Sequence, residues 1–303
     1  MSLRHSLLVA IVLAAPAVAV AGDPKFEFVK PDAAKPEKPE AVVEWKATAE
    51  AGAVFTTGNA ETTTITGGFK TSRKDGRNRL SLEASMTRAR SGLRVIDDIN
   101  GNGTIDSTAE ITTVSTTTAE TYMGKGRYDR FLTDNNSLFA ALLVSRDVPA
   151  GKDLVLGGQL GYMRQLYKTA QTEVVGEFGY DFSREDLAVG DPVDIHSLRA
   201  FAGFKNAASE GIDLDASLEA LSNLNELTLP TGADGGAFMD TRVNGHLGIS
   251  AKLSKNLAVQ TAIDVKYDNR PGPLAIKNLA MGFVPEAVNL DMIMKASLIY
   301  TLF

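Results

Sequence analysis

From Asn289 to Leu302 the sequence changes character at every residue. Leu290, Met292, Met294, Ala296, Leu298, Tyr300 and Leu302 share one face of an extended chain, and Asp291, Lys295, Ser297 and Thr301 share the other. Successive side chains of a β-strand point to opposite sides, so this segment has an oily face and a polar one. A strand that crosses a membrane in a β-barrel needs this pattern, with one face toward lipid and one toward the lumen. Phe303 ends the sequence directly after it.

The same period recurs along the chain. Val43, Trp45, Ala47, Ala49, Ala51, Ala53 and Phe55 oppose Glu44, Lys46, Thr48 and Glu50. Leu80, Leu82, Ala84 and Met86 oppose Arg79, Ser81, Glu83 and Ser85, and Leu198, Ala200, Ala202 and Phe204 oppose Arg199 and Lys205. In the segment after 136 we assign Phe139, Ala141 and Leu143 to the apolar outer face. Twelve such strands can be drawn, with the Thr-rich stretches near 62–72 and 110–128 patterned only weakly. A soluble β-sandwich also alternates. Segments near or beyond the ~10 residues needed to cross a bilayer favour the barrel. So do connections that alternate between short (73–78, 131–136, 168–171, 208–211, 254–256) and long (91–110, 185–193, 227–236, 271–288). Short turns on one rim and long loops on the other are expected of outer-membrane barrels. The sequence therefore predicts an all-β, antiparallel, up-and-down transmembrane barrel of about twelve strands, with both termini in the periplasm.

Composition agrees. Mean hydropathy is close to zero, as expected when half of every spanning strand is polar. A net charge of −6 gives no basic footprint for nucleic acid. Residues 1–21 read as a secretory signal, with Arg4 before a Leu7–Ala15 apolar run and small residues up to Ala21. The run is too short for a membrane-spanning helix. Residues 22–41, rich in Pro, Lys and Glu, read as an extended periplasmic linker, and 42–303 as the barrel. There is no cysteine, hence no disulfide framework and no lipid-modified cysteine. The expected location is the outer membrane, and the expected partners are its lipids and its assembly machinery.

Several motifs carry a resemblance. The run Ala53-Val54-Phe55-Thr56-Thr57-Gly58-Asn59-Ala60-Glu61-Thr62, then Tyr128-Asp129-Arg130-Phe131, Gly157 to Tyr162 and Glu177-Phe178-Gly179-Tyr180, are similar to an uncharacterised family of salt-induced outer-membrane proteins. The likeness covers most of residues 45–303. It implies an outer-membrane barrel, a structural or envelope-stress role and no established catalytic activity. The chain departs from that pattern in its long 91–110 loop, and in having Thr301 where many such barrels carry an aromatic residue.

One loop has the spacing of a metal site. In Asp98-Ile99-Asn100-Gly101-Asn102-Gly103-Thr104-Ile105-Asp106, oxygen side chains occupy positions 1, 3, 5 and 9 of a calcium loop, with glycine at 6. The Thr104 carbonyl would complete the inner set. Position 12 is Ala109 rather than glutamate, with Glu110 next to it. The candidate ligands for calcium are thus Asp98, Asn100, Asn102, Thr104, Asp106 and Glu110. An Asx- and Gly-rich turn without metal accounts for the same residues.

No enzyme is expected. His196 and His246 fall on or near the lumen face, and neither a Gly-x-Ser-x-Gly elbow nor a His-Glu-x-x-His pair is present. A lipid-modifying enzyme built across strands is the remote alternative. Lumen-facing charges of both signs predict an ion-paired, filled interior, because twelve strands enclose less space than a porin's sixteen or more. A narrow channel for ions or small solutes, tuned by those charges, is the alternative.

Overall fold

A computed structural model describes residues 43–56, 62–96, 110–147, 151–188, 190–228, 234–271 and 288–302, together with 99, 101, 103, 104 and 107. The predicted signal and linker lie outside the described residues. The strands are β1 (Glu44–Thr56), β2 (Thr62–Asp75), β3 (Asn78–Ile96), β4 (Ile111–Thr133), β5 (Asn136–Asp147), β6 (Lys152–Lys168) and β7 (Thr172–Leu187). Next come β8 (Val193–Ser209), β9 (Ile212–Asn223), the short β10 (Leu227–Thr228) and β11 (Asp234–Gly235), β12 (Thr241–Lys252), β13 (Leu257–Asp268) and β14 (Leu290–Thr301). The twelve long strands close into one antiparallel barrel, and β10–β11 form a separate hairpin on the β9–β12 connection. This is the predicted architecture.

Tight turns define one rim. Gly76 and Gly211 sit in two of them with φ of 55° and 86°, a left-handed conformation that glycine adopts without the steric cost of a Cβ. The outer face then repeats a vertical pattern. On β3, Asn78 and Arg88 flank Leu80, Leu82, Ala84 and Met86. On β5, Asn136 and Arg146 flank Leu138, Ala140, Leu142 and Val144. On β4 the flanking residues are Glu120 and Arg130. In each case the polar residues are ten positions apart. At ~3.4 Å per residue on tilted strands this gives an apolar band about 25 Å tall, the height of a transmembrane barrel's lipid-facing belt. Tyrosines mark its short-turn edge: the Tyr128 hydroxyl donates to Asn78 Oδ1 at 2.7 Å and Tyr162 pairs with Asn136.

One facing assignment is corrected. Phe139 and Ala141 point into the lumen and are buried, whereas Leu142 is 75% exposed on the outside. Both faces of residues 138–144 are apolar, so the period alone could not orient them. Phe139 joins Phe131, Met163, Val175 and Phe201 in an apolar cluster inside the barrel. Its ring lies over the row Phe139–Gly161–Gly179–Arg199, consecutive partners across β5, β6, β7 and β8. A Cβ on Gly161 would meet the Phe139 ring at 2.7 Å, and one on Gly179 would meet the Leu160 carbonyl oxygen at 2.3 Å. The glycines leave the floor on which the aromatic ring rests.

Two departures from uniformity matter below. β3 and β4 stay paired from Asn78↔Arg130 to Ile96↔Ile111, although β4 meets β5 only from Thr121 and β2 meets β3 only up to Ser91. Their ends therefore rise above the barrel wall as a two-stranded arm. The closing seam is short: β1 and β14 share only Thr48↔Thr301 to Ala51↔Leu298.

Candidate functional site

The alternation that places apolar residues outside sends charged ones into the lumen, where they pair. Asp129 on β4 is fully buried. It accepts from Arg79 Nη2 of β3 at 3.2 Å and from Arg127 Nη2 of its own strand at 2.8 Å. Arg127 also forms a 2.8 Å ion pair with Glu177 of β7. Glu177 in turn accepts from Arg199 Nη1 of β8 at 2.8 Å, and Arg199 Nε donates to Glu219 of β9 at 2.6 Å. Asn244 of β12 closes the row, donating to Glu219 Oε2 at 3.0 Å. Six strands thus contribute to one belt of alternating charge. The aromatic cluster supports it from below: the Arg127 guanidinium stands 4.1 Å from the Phe139 ring centre, and Arg199 lies 5.4 Å from that of Phe201. A guanidinium against an aromatic face keeps an attractive partner where water is excluded.

A second level of pairing lies at the long-loop rim. Glu185 accepts from Arg242 Nη1 at 2.5 Å and pairs with Lys152 Nζ at 2.8 Å. Arg242 also reaches Asp240 at 3.1 Å and Asp268 at 3.5 Å. Lys266 of β13 donates to Asp147 of β5 at 3.3 Å. In the strand order β13 and β5 stand six places apart of twelve, so this bond joins opposite walls of the barrel. On the short-turn side of the belt along β9 and β12, His246 Nε2 is 2.8 Å from Asp215 and Nδ1 is 2.5 Å from Asp264, whose other oxygen pairs with Lys295.

The family model described as a protein of unknown function, DUF481, matches residues 49–278. The chain belongs to this family. No curated protein matches it. Among solved structures the chain is similar to the NanC porin at 12% identity and a TM-score of 0.44, over 85% of this chain and all of that one. It is also similar to the translocator domain of the autotransporter NalP from Neisseria meningitidis, at 12% identity and a TM-score of 0.40, over 88% and 90% of the two chains. A loop-deletion form of OmpT, an outer membrane protein of Vibrio cholerae, aligns at 8% identity with a TM-score of 0.37, over 87% and 100%.

In this DUF481 barrel the charges expected in the lumen are found there, Arg79, Glu177, Asp181, Arg199, Glu219, Arg242, Lys266 and Lys295 among them. The two histidines part company. His246 is inside, as expected. His196 is on the outer face, where the Tyr180 hydroxyl meets Nδ1 and the Phe182 ring centre lies 5.1 Å away. They share no site.

Of the six calcium candidates, Asp98, Asn100, Asn102 and Asp106 lie outside the described residues. Gly101 and Gly103 have φ of 68° and 82°, consistent with a tight turn at the tip of the arm. Thr104 is exposed beside them. Glu110 is buried at the start of β4, and its carboxylate accepts from the Ser107 amide at 3.1 Å. Sequence reasoning did not assemble the Phe139–Gly161–Gly179–Arg199 row. Glycine alternating with Leu160, Tyr162, Phe178 and Tyr180 was its only signal.

Proposed function

We propose that the protein is an outer-membrane barrel with a structural, envelope-stress role, its lumen held shut to solutes. The observation that carries this is the bond between Lys266 and Asp147 on opposite walls, above a buried belt that spans six strands. An open pore of this strand number has little width to spare, and side chains joined across it leave less. The apolar band about 25 Å tall supports the membrane placement. On this reading residues 1–21 are removed after export, residues 22–41 and the short-turn rim face the periplasm, and the long loops face outward. The outer-membrane lipids and assembly machinery are the partners, and no catalytic role is assigned. The tip of the arm, from Asp98 to Glu110, binds calcium in this reading.

The test is conductance of the refolded protein in planar bilayers. The wild type should show no porin-sized steps, and a variant combining Lys266→Ala with Arg127→Ala should show them. Porin-sized steps in the wild type would overturn the reading.

A narrow ion channel remains a second reading, because one observation favours it. A cavity of about 880 Å³ opens at the short-turn rim among Lys168, Lys205, Asp213 and Asp215. It shares Ile299 with a 160 Å³ cavity lined by Glu50, Lys70 and Glu83. The larger space lies at the short-turn ends of β6 to β9 and β12 to β14, and the smaller one runs along β1 to β3. Small, cation- or anion-selective steps in the same recordings would favour this reading.

A further inference from the structure

Arginines on the outer face of a membrane barrel are costly at mid-depth and cheap at the rim, where the side chain reaches headgroups. On β3, Arg88 and Arg90 are both exposed on the outer face, directly above Met86 and the apolar band. Two residues apart on one face, they stand ~7 Å from one another. Neither has a hydrogen bond or ion pair among the described residues. The β3–β4 register slips between Ala89 and Arg90, and such a bulge bends the strand and re-aims the side chains beside it. On β5, Arg146 occupies the corresponding height, 3.9 Å from both Glu120 and Asp153 and half exposed. Three arginines against two carboxylates, each carboxylate at the outer limit of an ion pair, leave this patch positive.

Most other arginines of the outer face differ. Arg73, at the short-turn rim, is held by Asp75 at 2.9 Å and lies 5.9 Å from the Trp45 ring centre, and Arg130 donates to Asn78 at 2.7 Å. Arg184, at the long-loop rim, is paired with Asp194 at 3.2 Å. Across the barrel, the outward residues at the long-loop ends of β9, β12, β13, β14 and β1 include Ala220, Val243, Tyr267, Leu290 and Phe55, with no cation. Arg164 of β6 also has no partner among the described residues but lies at the short-turn side, so at the long-loop rim the unpaired arginines are local to β3.

Arg88 has Ile65 and Glu120 as register partners, whereas hydroxyl groups flank Arg90. Thr63 of β2 and Thr117 of β4 are the register partners of Arg90. Ser115 and Thr113 continue the same face of the arm, where residues 111–117 are exposed on both sides. From this geometry we infer that the β3–β5 rim is a docking surface for a phosphorylated glycolipid of the outward leaflet. Arg88 and Arg90 bind its phosphate, and the threonine face of the arm contacts its sugars. Guanidinium groups pair with phosphate oxygens through two parallel N–H···O bonds, which a point-charge cation cannot do. The surrounding hydroxyls both donate to and accept from sugar hydroxyls. A phospholipid would satisfy the charge but leave the arm unused, so the glycolipid is the better fit.

The inference rests on the outer-membrane reading above, and the experiment separates the two. The barrel is reconstituted in phosphatidylcholine nanodiscs doped with diphosphorylated lipid A, dephosphorylated lipid A or phosphatidylglycerol. Lipid co-retained per barrel is then counted by native mass spectrometry. Insertion into undoped discs tests the membrane reading alone. The wild type should retain the diphosphorylated glycolipid about tenfold over either other lipid. Arg88→Gln with Arg90→Gln should abolish that preference, while Arg88→Lys with Arg90→Lys keeps part of it. Arg164→Gln, on the short-turn side, should leave the preference unchanged. Equal retention of phosphorylated and dephosphorylated glycolipid overturns the inference, as does an unaltered preference in the glutamine variant. Equal retention of phosphatidylglycerol overturns the choice of glycolipid.

Discussion

On the β4–β8 side of the lumen, Phe139 packs on Gly161, Met163 and Val175 are fully buried, and Arg127 and Arg199 are held between carboxylates and aromatic rings. On the facing side, from β12 through β14 and β1 to β2, Gly52, Gly68, Ser297 and Ala262 stand among charged side chains such as Glu50, Lys70 and Lys295, and the 160 Å³ cavity opens there. The seam on this side has four registered pairs, whereas β3 and β4 remain in register over all of β3 apart from one slip. Local stability follows local packing and pairing. One wall thus acts as the rigid half, and the other has space, small side chains and the weakest closure. The difference shows that a barrel regular in its hydrogen bonding can have an interior that is not regular at all.

The largest effect expected lies in the rigid half. Arg199→Ala removes the cation shared by Glu177 and Glu219, leaving two buried carboxylates short of a partner. Breaking a buried pair this way costs about 3–5 kcal/mol. Urea unfolding from vesicles measures it. A loss below about 1 kcal/mol would mean that water reaches the belt and that the two halves are not distinct.

Next comes a pair of neighbours in the weaker half. Leu298 is exposed on the outer face and Ser297 is buried on the lumen side. Leu298→Arg should destabilise by about 2–4 kcal/mol if it lies near the middle of the bilayer. Ser297→Arg, facing the lumen near Ile299 and the 160 Å³ cavity, should cost much less. Equal losses in the same unfolding assay would remove the distinction between lipid face and lumen face on β14.

How far the sequence could foresee this depends on what enforces the pattern. The outer band is uniformly apolar, as the proposed lipid contact requires, so Leu80, Leu82, Ala84, Met86 and the faces of β13 and β14 could be read from period two. The lumen tolerates both kinds of residue. Residues 138–144, apolar on both faces, were therefore oriented wrongly, and His196 was assigned to the lumen although it pairs outside with Tyr180. Above the apolar band nothing enforces alternation, and the arm formed by the ends of β3 and β4 appeared only as a Thr-rich, weakly patterned stretch. The belt was legible as a list of charges but not as partners. Lys266 and Asp147 are 119 positions apart, and only barrel closure brings them together.

A glycine comparison sharpens the contrast between the halves at smaller cost. Gly179→Ala puts a methyl group 2.3 Å from the Leu160 carbonyl oxygen, which belongs to the backbone and cannot swing away. Overpacking of this kind costs about 1–3 kcal/mol. Gly68→Ala, on the lumen face of β2, meets Glu50 Cβ at 3.4 Å, its carboxylate at 3.5 Å and the Ala84 carbonyl oxygen at 3.9 Å. That is ordinary contact, and removing glycine from a strand can stabilise by about 0.4–1 kcal/mol. The two variants should shift the unfolding midpoint in opposite directions. A shift in the same direction, of similar size, would show that the β1–β2 side is as tightly packed as the other.

The smallest effect belongs to the arm, which stands apart from both halves. Its tip has oxygen-bearing residues at Asp98, Asn100, Asn102 and Asp106 in the sequence, and glycine φ values suited to a sharp turn at Gly101 and Gly103. Two asparagines in place of carboxylates lower the ligand charge, and Glu110 is already engaged by the Ser107 amide. Weak binding follows, in the range of about 10⁻⁴–10⁻³ M found for extracellular calcium modules. Calorimetry should give calcium heat in the wild type and lose it in Asp98→Ala and in Asp106→Ala. The barrel's unfolding midpoint should scarcely move, because at tenfold saturation a single site adds only about 1.4 kcal/mol, and only if the arm unfolds together with the wall. No calcium heat at millimolar concentration, or heat unchanged in both variants, would reduce the tip to an Asx-rich turn. A large calcium-dependent rise in the midpoint would mean instead that the arm is coupled to the rigid half, through the β4 strand they share.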